Sequence, residues 1–446
     1  MIEKFKFILF ILIYDVKSII KIPFIINIDF NNINEHNFHD NFYTKELISF
    51  IEIGTPPQKI PVSLRLKKYA LYISKITNQS LNNIEYNPNL SNTYYKYEIN
   101  NFIFTNNSQS IFDNNFPSMD NFILEKNYYL NNISFLLLTK KVFENKYNSI
   151  IGLKYLDNNS LIINYNLIIQ LFNSHNIKYC SFYIEFNNEN KGYLIIGNYP
   201  HLNKKEKYKI ENFLLNKINL NSKNFYYEIN MYKFYYGNYL INEEYKITFS
   251  YENGLIKGPK SFQNYIENNF FNYYITFNKC YKFISNKIKN NIYYFCNDKK
   301  ILKNFKELIF RTRGNDFNFT LNYKDLFYNF NNKYYFLIFF DNNDSDSNKN
   351  WEFGIPFFQK YKIIFDMEKK HIGYYEINNK IEKKIKINLI DLLILFSLLN
   401  IIILLIYFMY YNCKILYLKY IKKTKENEEK DLNNNLLFKN IELVKI

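Results

Sequence analysis

Few residues in this chain are of the types and spacings that do chemistry. Among 446 residues there are four cysteines and five dispersed histidines, and no Cys/His cluster has metal-ligand spacing. Neither a metal nor a cofactor is called for. Cys280 and Cys296 could form a disulfide in an oxidising lumen, while Cys180 follows a predicted helix and Cys413 sits beside an apolar run. Asn-x-Ser/Thr sequons, such as those at Asn78, Asn132 and Asn318, are expected by chance in so asparagine-rich a chain. The formal net charge is +16, yet the lysines are scattered and no nucleic-acid motif accompanies them. This is a solvated basic surface, with no nucleic-acid partner implied.

The elements around these residues are largely strands. Glycine (10) and proline (9) are rare, so each marks a position of interest. One stretch organises the rest: apolar residues alternate up to Ile53, a Gly54-Thr55-Pro56-Pro57 turn follows, and a second apolar strand carries Val62, Leu64 and Leu66. Two hydrophobic landmarks flank the strand-rich body. At the N-terminus Lys4 and Lys6 precede the run Phe7 to Tyr14, which fits a signal peptide over 1–18, with a buried strand as the bland alternative. A polar stretch over 19–42 reads as a linker or short pro-segment. Near the other end, Leu389 to Tyr411 is apolar apart from Asp391 and is long enough to span a bilayer. Lys414, Lys419, Lys422, Lys423 and Lys425 follow it, which suits a cytosolic tail over 412–446. Lys383, Lys384 and Lys386 precede it, so the charge bias is not clean. The expected topology is single-pass type I in the secretory pathway or plasma membrane, with the N-terminal domain lumenal or extracellular.

The string Ile53-Gly54-Thr55-Pro56-Pro57-Gln58 resembles the first hairpin of the pepsin-like aspartic proteases, plasmepsin-type membrane-anchored members included. Further landmarks follow in the family's order. Tyr86 to Thr93 resembles the F-x-P-x-x-S-S-T loop, and Tyr147 to Tyr155 the strand F-D-G-I-L-G-L-A-Y. Ser181–Glu185 and Gly192–Gly197 resemble the paired strands at the lobe junction. Trp351 to Tyr374 is similar to W-x-L-G-D-x-F-L-R-x-Y-x-x-V-F-D…I-G, with the sole tryptophan at the family's Trp. The resemblance implies an all-β, bilobal fold: an N-terminal lobe over 43–200 and a C-terminal lobe over 201–378, followed by one transmembrane helix. It also implies a flap over Asn101 to Ser110, with Phe104 at the family's tyrosine and Asn106-Asn107 at the tip.

The same alignment removes the chemistry. Counting from Gln58 puts Arg65 where the first catalytic Asp belongs, with Leu66 and Lys67 for its Thr-Gly. Anchored on Gly258-Pro259, Ser250 takes the second Asp position, with Tyr251 and Glu252 for Thr-Gly. No Asp-Thr-Gly or Asp-Ser-Gly string occurs anywhere. Gly54, Gly152, Gly192, Gly197, Gly258, Gly354 and Gly373 sit at scaffold positions of the family, and Gly237 and Gly314 fit its turns, so the loss is concentrated at the catalytic loops and flap. A guanidinium buried alone is costly, so Arg65 calls for an anion, with Glu252 as a candidate and solvent as the alternative. Three readings follow. The first is an inactive pseudoprotease that binds a peptide or protein partner. The second is an aspartic endopeptidase with a noncanonical site. The third is a structural or adhesion ectodomain whose groove is plugged by Phe104, Tyr69 or Tyr251.

Overall fold

The computed structural model describes residues 19–27, 38–75, 85–97, 115–124, 128–139, 149–155, 161–202, 208, 210, 213–217, 227–285, 290–313, 317–345, 347–375 and 389–442. The chain divides into two units, 1–376 and 377–446, taken separately here.

The first unit is built on the Gly-Thr-Pro-Pro hairpin. Strands Glu46–Ile53 and Gln58–Arg65 pair antiparallel, with Ile53 opposite Gln58 and Ile48 opposite Ser63. The turn holds because Gly54 takes a φ of +90° and Gln58 exchanges two side-chain hydrogen bonds of 2.9 Å with the backbone of Asn87. The Ile-Gly-Thr-Pro-Pro-Gln and Tyr-Asn-Pro strings are thus two halves of one contact. Beyond the hairpin, Gln58–Arg65 runs parallel to Ile150–Gly152, which pairs antiparallel with Leu71–Ser74, and that strand runs parallel to Tyr129–Leu138.

The second lobe repeats this weave. Hairpin Glu228–Tyr236 and Tyr239–Phe249 is followed by parallel pairing of Tyr239–Phe249 with Trp351–Phe353. Trp351–Phe353 pairs antiparallel with Ile256–Gly258, which runs parallel to Ile338–Asp341. The lobes share strands: in the thirteen-stranded sheet, Phe213–Lys217, His371–Tyr375 and Ile363–Asp366 continue into Ser181–Asn188 and Lys191–Ile196. One apolar core, from Ile20 to Tyr374, runs through both lobes.

Part of the stretch expected as a linker or short pro-segment forms regular structure. Ile20–Asn27 is an interior strand between Lys191–Ile196 and Glu46–Ile53, burying Ile20, Ile22, Phe24 and Ile26 by simple alternation. Phe38–Tyr43 is a short helix whose Phe38 stacks on Tyr335, ring centroids 3.8 Å apart. Cys280 and Cys296 are disulfide-bonded across the strand pair Cys280–Ile284 and Asn291–Cys296. The expected signal peptide over 1–18 and the flap with Phe104, Asn106 and Asn107 lie outside the described residues.

In the second unit a single α-helix runs over Leu389–Glu442. Its segment Ser397–Lys425 is long and apolar enough to cross a membrane. The segment overlaps the expected span of Leu389 to Tyr411, and the helix continues through the expected tail as far as Glu442.

Candidate functional site

The repeated weave fixes which residues of the two lobes correspond. In the first lobe Arg65 lies opposite Gly152 in the parallel pair. In the second, Phe249 lies opposite Phe353, and the Ser250 amide donates to the Phe353 carbonyl at 2.9 Å. In the loops beyond, Lys154 N–H donates to Lys68 O at 2.7 Å, and Ile355 N–H, one position earlier in the correspondence, donates to Asn253 O at 3.0 Å. A Cβ on Gly152 would meet Lys68 O at 2.7 Å and Ala70 O at 2.5 Å; one on Gly354 would meet Asn253 O at 2.4 Å and Leu255 O at 2.1 Å. Arg65 therefore corresponds to Ser250, Leu66 to Tyr251, and Lys67 to Glu252.

Arg65 has an anion, but not the expected one. Its Nη2 lies 3.0 Å from Glu46 Oε1, and its Nε donates to Ser63 Oγ at 3.2 Å. Continuing the hairpin register two residues beyond the Ile48–Ser63 pair puts Glu46 opposite Arg65, so the pair is a cross-strand neighbour. That count was the signal available in the sequence. Glu252 instead takes the Lys67 backbone N–H at 3.0 Å, with the Lys67 ammonium 3.9 Å from its other oxygen. Lys67 Nζ also reaches Glu352 Oε1 at 2.7 Å, and Asn253 Nδ2 donates to the same oxygen at 2.5 Å. Lys67 on the first lobe thus joins two carboxylates on the second.

The two tyrosines expected at the groove differ in burial. Tyr251 is fully buried, its ring 4.7 Å from Phe358 and 6.1 Å from Phe365, so it packs into the core behind the loop. Tyr69 is half-buried; its carbonyl accepts from Asn166 Nδ2 at 2.7 Å, and Asn166, the N-cap of helix Leu167–Asn173, braces the first loop from behind. Ser250 is fully buried, and its Oγ accepts the Glu252 N–H at 3.2 Å.

No family model and no curated relative matches this chain. A search of solved structures does match. An aspartic proteinase from Irpex lacteus superposes with a TM-score of 0.54 at 12% identity, over 81% of this chain and 98% of that one. The fold is pepsin-like.

A pepsin-like enzyme activates water between two carboxyl groups that share one proton. Here the two matched loop positions carry a guanidinium and a hydroxyl. The carboxyls nearby are spent on cations. Burial raises Glu252 above the usual carboxylate range, against the opposing pull of Lys67 and Arg65. Burial likewise raises Glu46, opposed by Arg65. Burial opposes charge on Lys67, but Glu352 and Glu252 outweigh it and hold the ammonium above its ordinary value. Lys67 stands between Glu252 and Glu352, its ammonium 3.9 Å from the one and 2.7 Å from the other. Among the described residues, the partner of Ser250 Oγ is the Glu252 N–H and not a base. Among the described residues, no three His, Cys, Asp or Glu side chains group to hold a metal ion.

Proposed function

We propose that this chain is a membrane-anchored, pepsin-like pseudoprotease that binds a polypeptide partner and does not cleave it. One observation carries the reading: Arg65 and Ser250 hold the matched loop positions, while Lys67 fills the floor between Glu252 and Glu352. The frame around them is kept, since Gly152 and Gly354 remain where any side chain would strike backbone. The Cys280–Cys296 disulfide and the apolar segment Ser397–Lys425 support a body in the secretory lumen or at the cell surface, anchored by one span. In this reading residues 1–18 are the signal peptide and the C-terminal end of the long helix faces the cytosol. The cross-lobe ion pairs also favour a second reading, a structural or adhesion ectodomain whose groove floor serves only to join the lobes.

The test is cleavage of a diverse peptide library between acid and neutral pH by the purified full chain, beside an Arg65→Asp/Ser250→Asp double variant. No cleavage by the folded native protein is expected. Cleavage that co-purifies with the chain and disappears in Glu252→Gln or Glu46→Gln would overturn the proposal. Retention of peptides by the native chain separates the first reading from the second.

A further inference from the structure

Away from the loop floor, a cavity of about 570 Å³ lies between helix Phe38–Tyr43, the turn joining Ser181–Asn188 to Lys191–Ile196, and helix Ile355–Lys360. Phe42, Phe186, Tyr328, Leu337 and Pro356 give it apolar walls, and Lys45 is the buried cation on its lining. Lys45 is only 6% exposed. Its ammonium rests 3.0 Å from the centroid of the Phe42 ring and 5.8 Å from that of Tyr328, and among the described residues it has neither an ion pair nor a hydrogen bond. The other cations at the cavity are Lys324 and Lys360, and Lys360 is bound to Asp325 at 2.6 Å. Glu189, the remaining acid, lies at the turn, its carbonyl held by Gln359 Nε2 at 3.0 Å. Three ammonium groups thus line the cavity against two carboxylates.

A cation buried against rings is costly without a counter-charge. The cost falls when an anion enters, and the volume suits a small ligand. We propose that this cavity binds a carboxylate-bearing ligand with an aromatic or branched apolar body, the carboxylate on Lys45 Nζ and the body between Phe42, Phe186 and Tyr328. The shared chemistry fits either the C-terminal residue of a polypeptide or a free organic acid. The site does not depend on loss of cleavage, because none of the loop-floor ion pairs takes part in it. Burial lowers the Lys45 ammonium well below its ordinary range, and the opposing pull of Glu189 offsets this only in part.

The test is calorimetric titration of the detergent-solubilised full chain with 3-phenylpropanoate, with N-acetylphenylalanine, and with N-acetylphenylalanine amide. Both acids are expected to bind if the source is a polypeptide C-terminus, and only 3-phenylpropanoate if it is a free organic acid. The amide should bind about tenfold or more weakly than its acid, the loss of one charge-assisted contact. Lys45→Met keeps the apolar stem and should lose acid binding by a similar factor, while its thermal midpoint stays level or rises because a buried charge is gone. Acid and amide binding alike, or no binding of either acid at millimolar concentration to the native chain, would overturn the proposal. The amide arm needs no variant, so a folding defect in Lys45→Met leaves the test intact.

Discussion

Acid should destabilise this protein through one histidine. His39 is 3% exposed, stacks on Tyr293 with ring centroids 4.5 Å apart, and lies with Nε2 3.3 Å from the Phe336 carbonyl. That oxygen can only accept, so Nε2 carries a proton, and burial keeps the ring neutral. Burial lowers its pKa from 6.5 to about 3, against the smaller pull of the Phe336 and Tyr294 backbone. The unfolded chain takes up this proton near pH 6.5 and the folded chain does not. The stability it contributes is therefore complete above 6.5 and declines as pH falls toward 3, at about 1.4 kcal/mol per pH unit and about 5 kcal/mol in all. That is a large share of the ~5–15 kcal/mol typical of a folded domain. His39→Phe keeps the stacking and removes the titration, but leaves the Phe336 carbonyl without its donor, at a cost of about 1–2 kcal/mol near pH 7.5. The two proteins should then cross between about pH 5 and 6, with the variant the more stable below. Urea unfolding of the full chain in detergent, read by the fluorescence of buried Trp351, measures both curves. Other titrating groups are common to the two proteins and cancel in the difference. Parallel curves from pH 7.5 to 4 would refute the argument, because a histidine that protonates in place gives no crossing.

Three further outcomes follow from the geometry. Gly152→Ala drives a methyl against the backbone of Lys68 and Ala70, which cannot swing aside, and should lose about 3 kcal/mol in the same unfolding assay. Lys67→Met strips Glu252 and Glu352 of their shared cation; because Lys67 is 35% exposed and screened by solvent, the loss at pH 7 should be only about 1 kcal/mol. It should shrink as pH falls and Glu252, already raised by burial, takes up a proton. Cys280→Ser with Cys296→Ser opens a loop with a sequence separation of 16 and should lower stability by about 3 kcal/mol, as a lower thermal midpoint under non-reducing conditions.

The frame was legible because its landmarks are backbone requirements. Gln58 and Asn87 hold each other by amide hydrogen bonds, and a Cβ at Gly152 or Gly354 would strike a carbonyl, so these residues cannot drift with composition. Ile20–Asn27 was not legible. Its alternation is short, contains Pro23, and sits in asparagine-rich chain, while one of its partner strands, Lys191–Ile196, is far away in sequence. The unbroken run of the C-terminal helix to Glu442 was equally hidden, since its apolar pattern stops well before its end.

The site was legible in position but not in pairing, and the reason is geometric. Arg65 and Ser250 follow from counting along the chain, whereas their partners follow from counting across it. A hairpin with Ile53 opposite Gln58 brings position 46 opposite position 65, so Glu46 is set by the same turn that sets Arg65. A cation on one of these strands is most cheaply satisfied by its neighbour, since both side chains are already ordered by the ladder. Reaching Glu252 in the other lobe would have required the guanidinium to cross a floor that Lys67 already occupies. Lys67 and its two acids join the lobes across this floor. Restoring acids at 65 and 250 alone would therefore place new negative charge beside Glu46, Glu252 and Glu352. By this argument the Arg65→Asp/Ser250→Asp variant should be less stable than the native chain at neutral pH and recover in acid, whether or not it cleaves peptides.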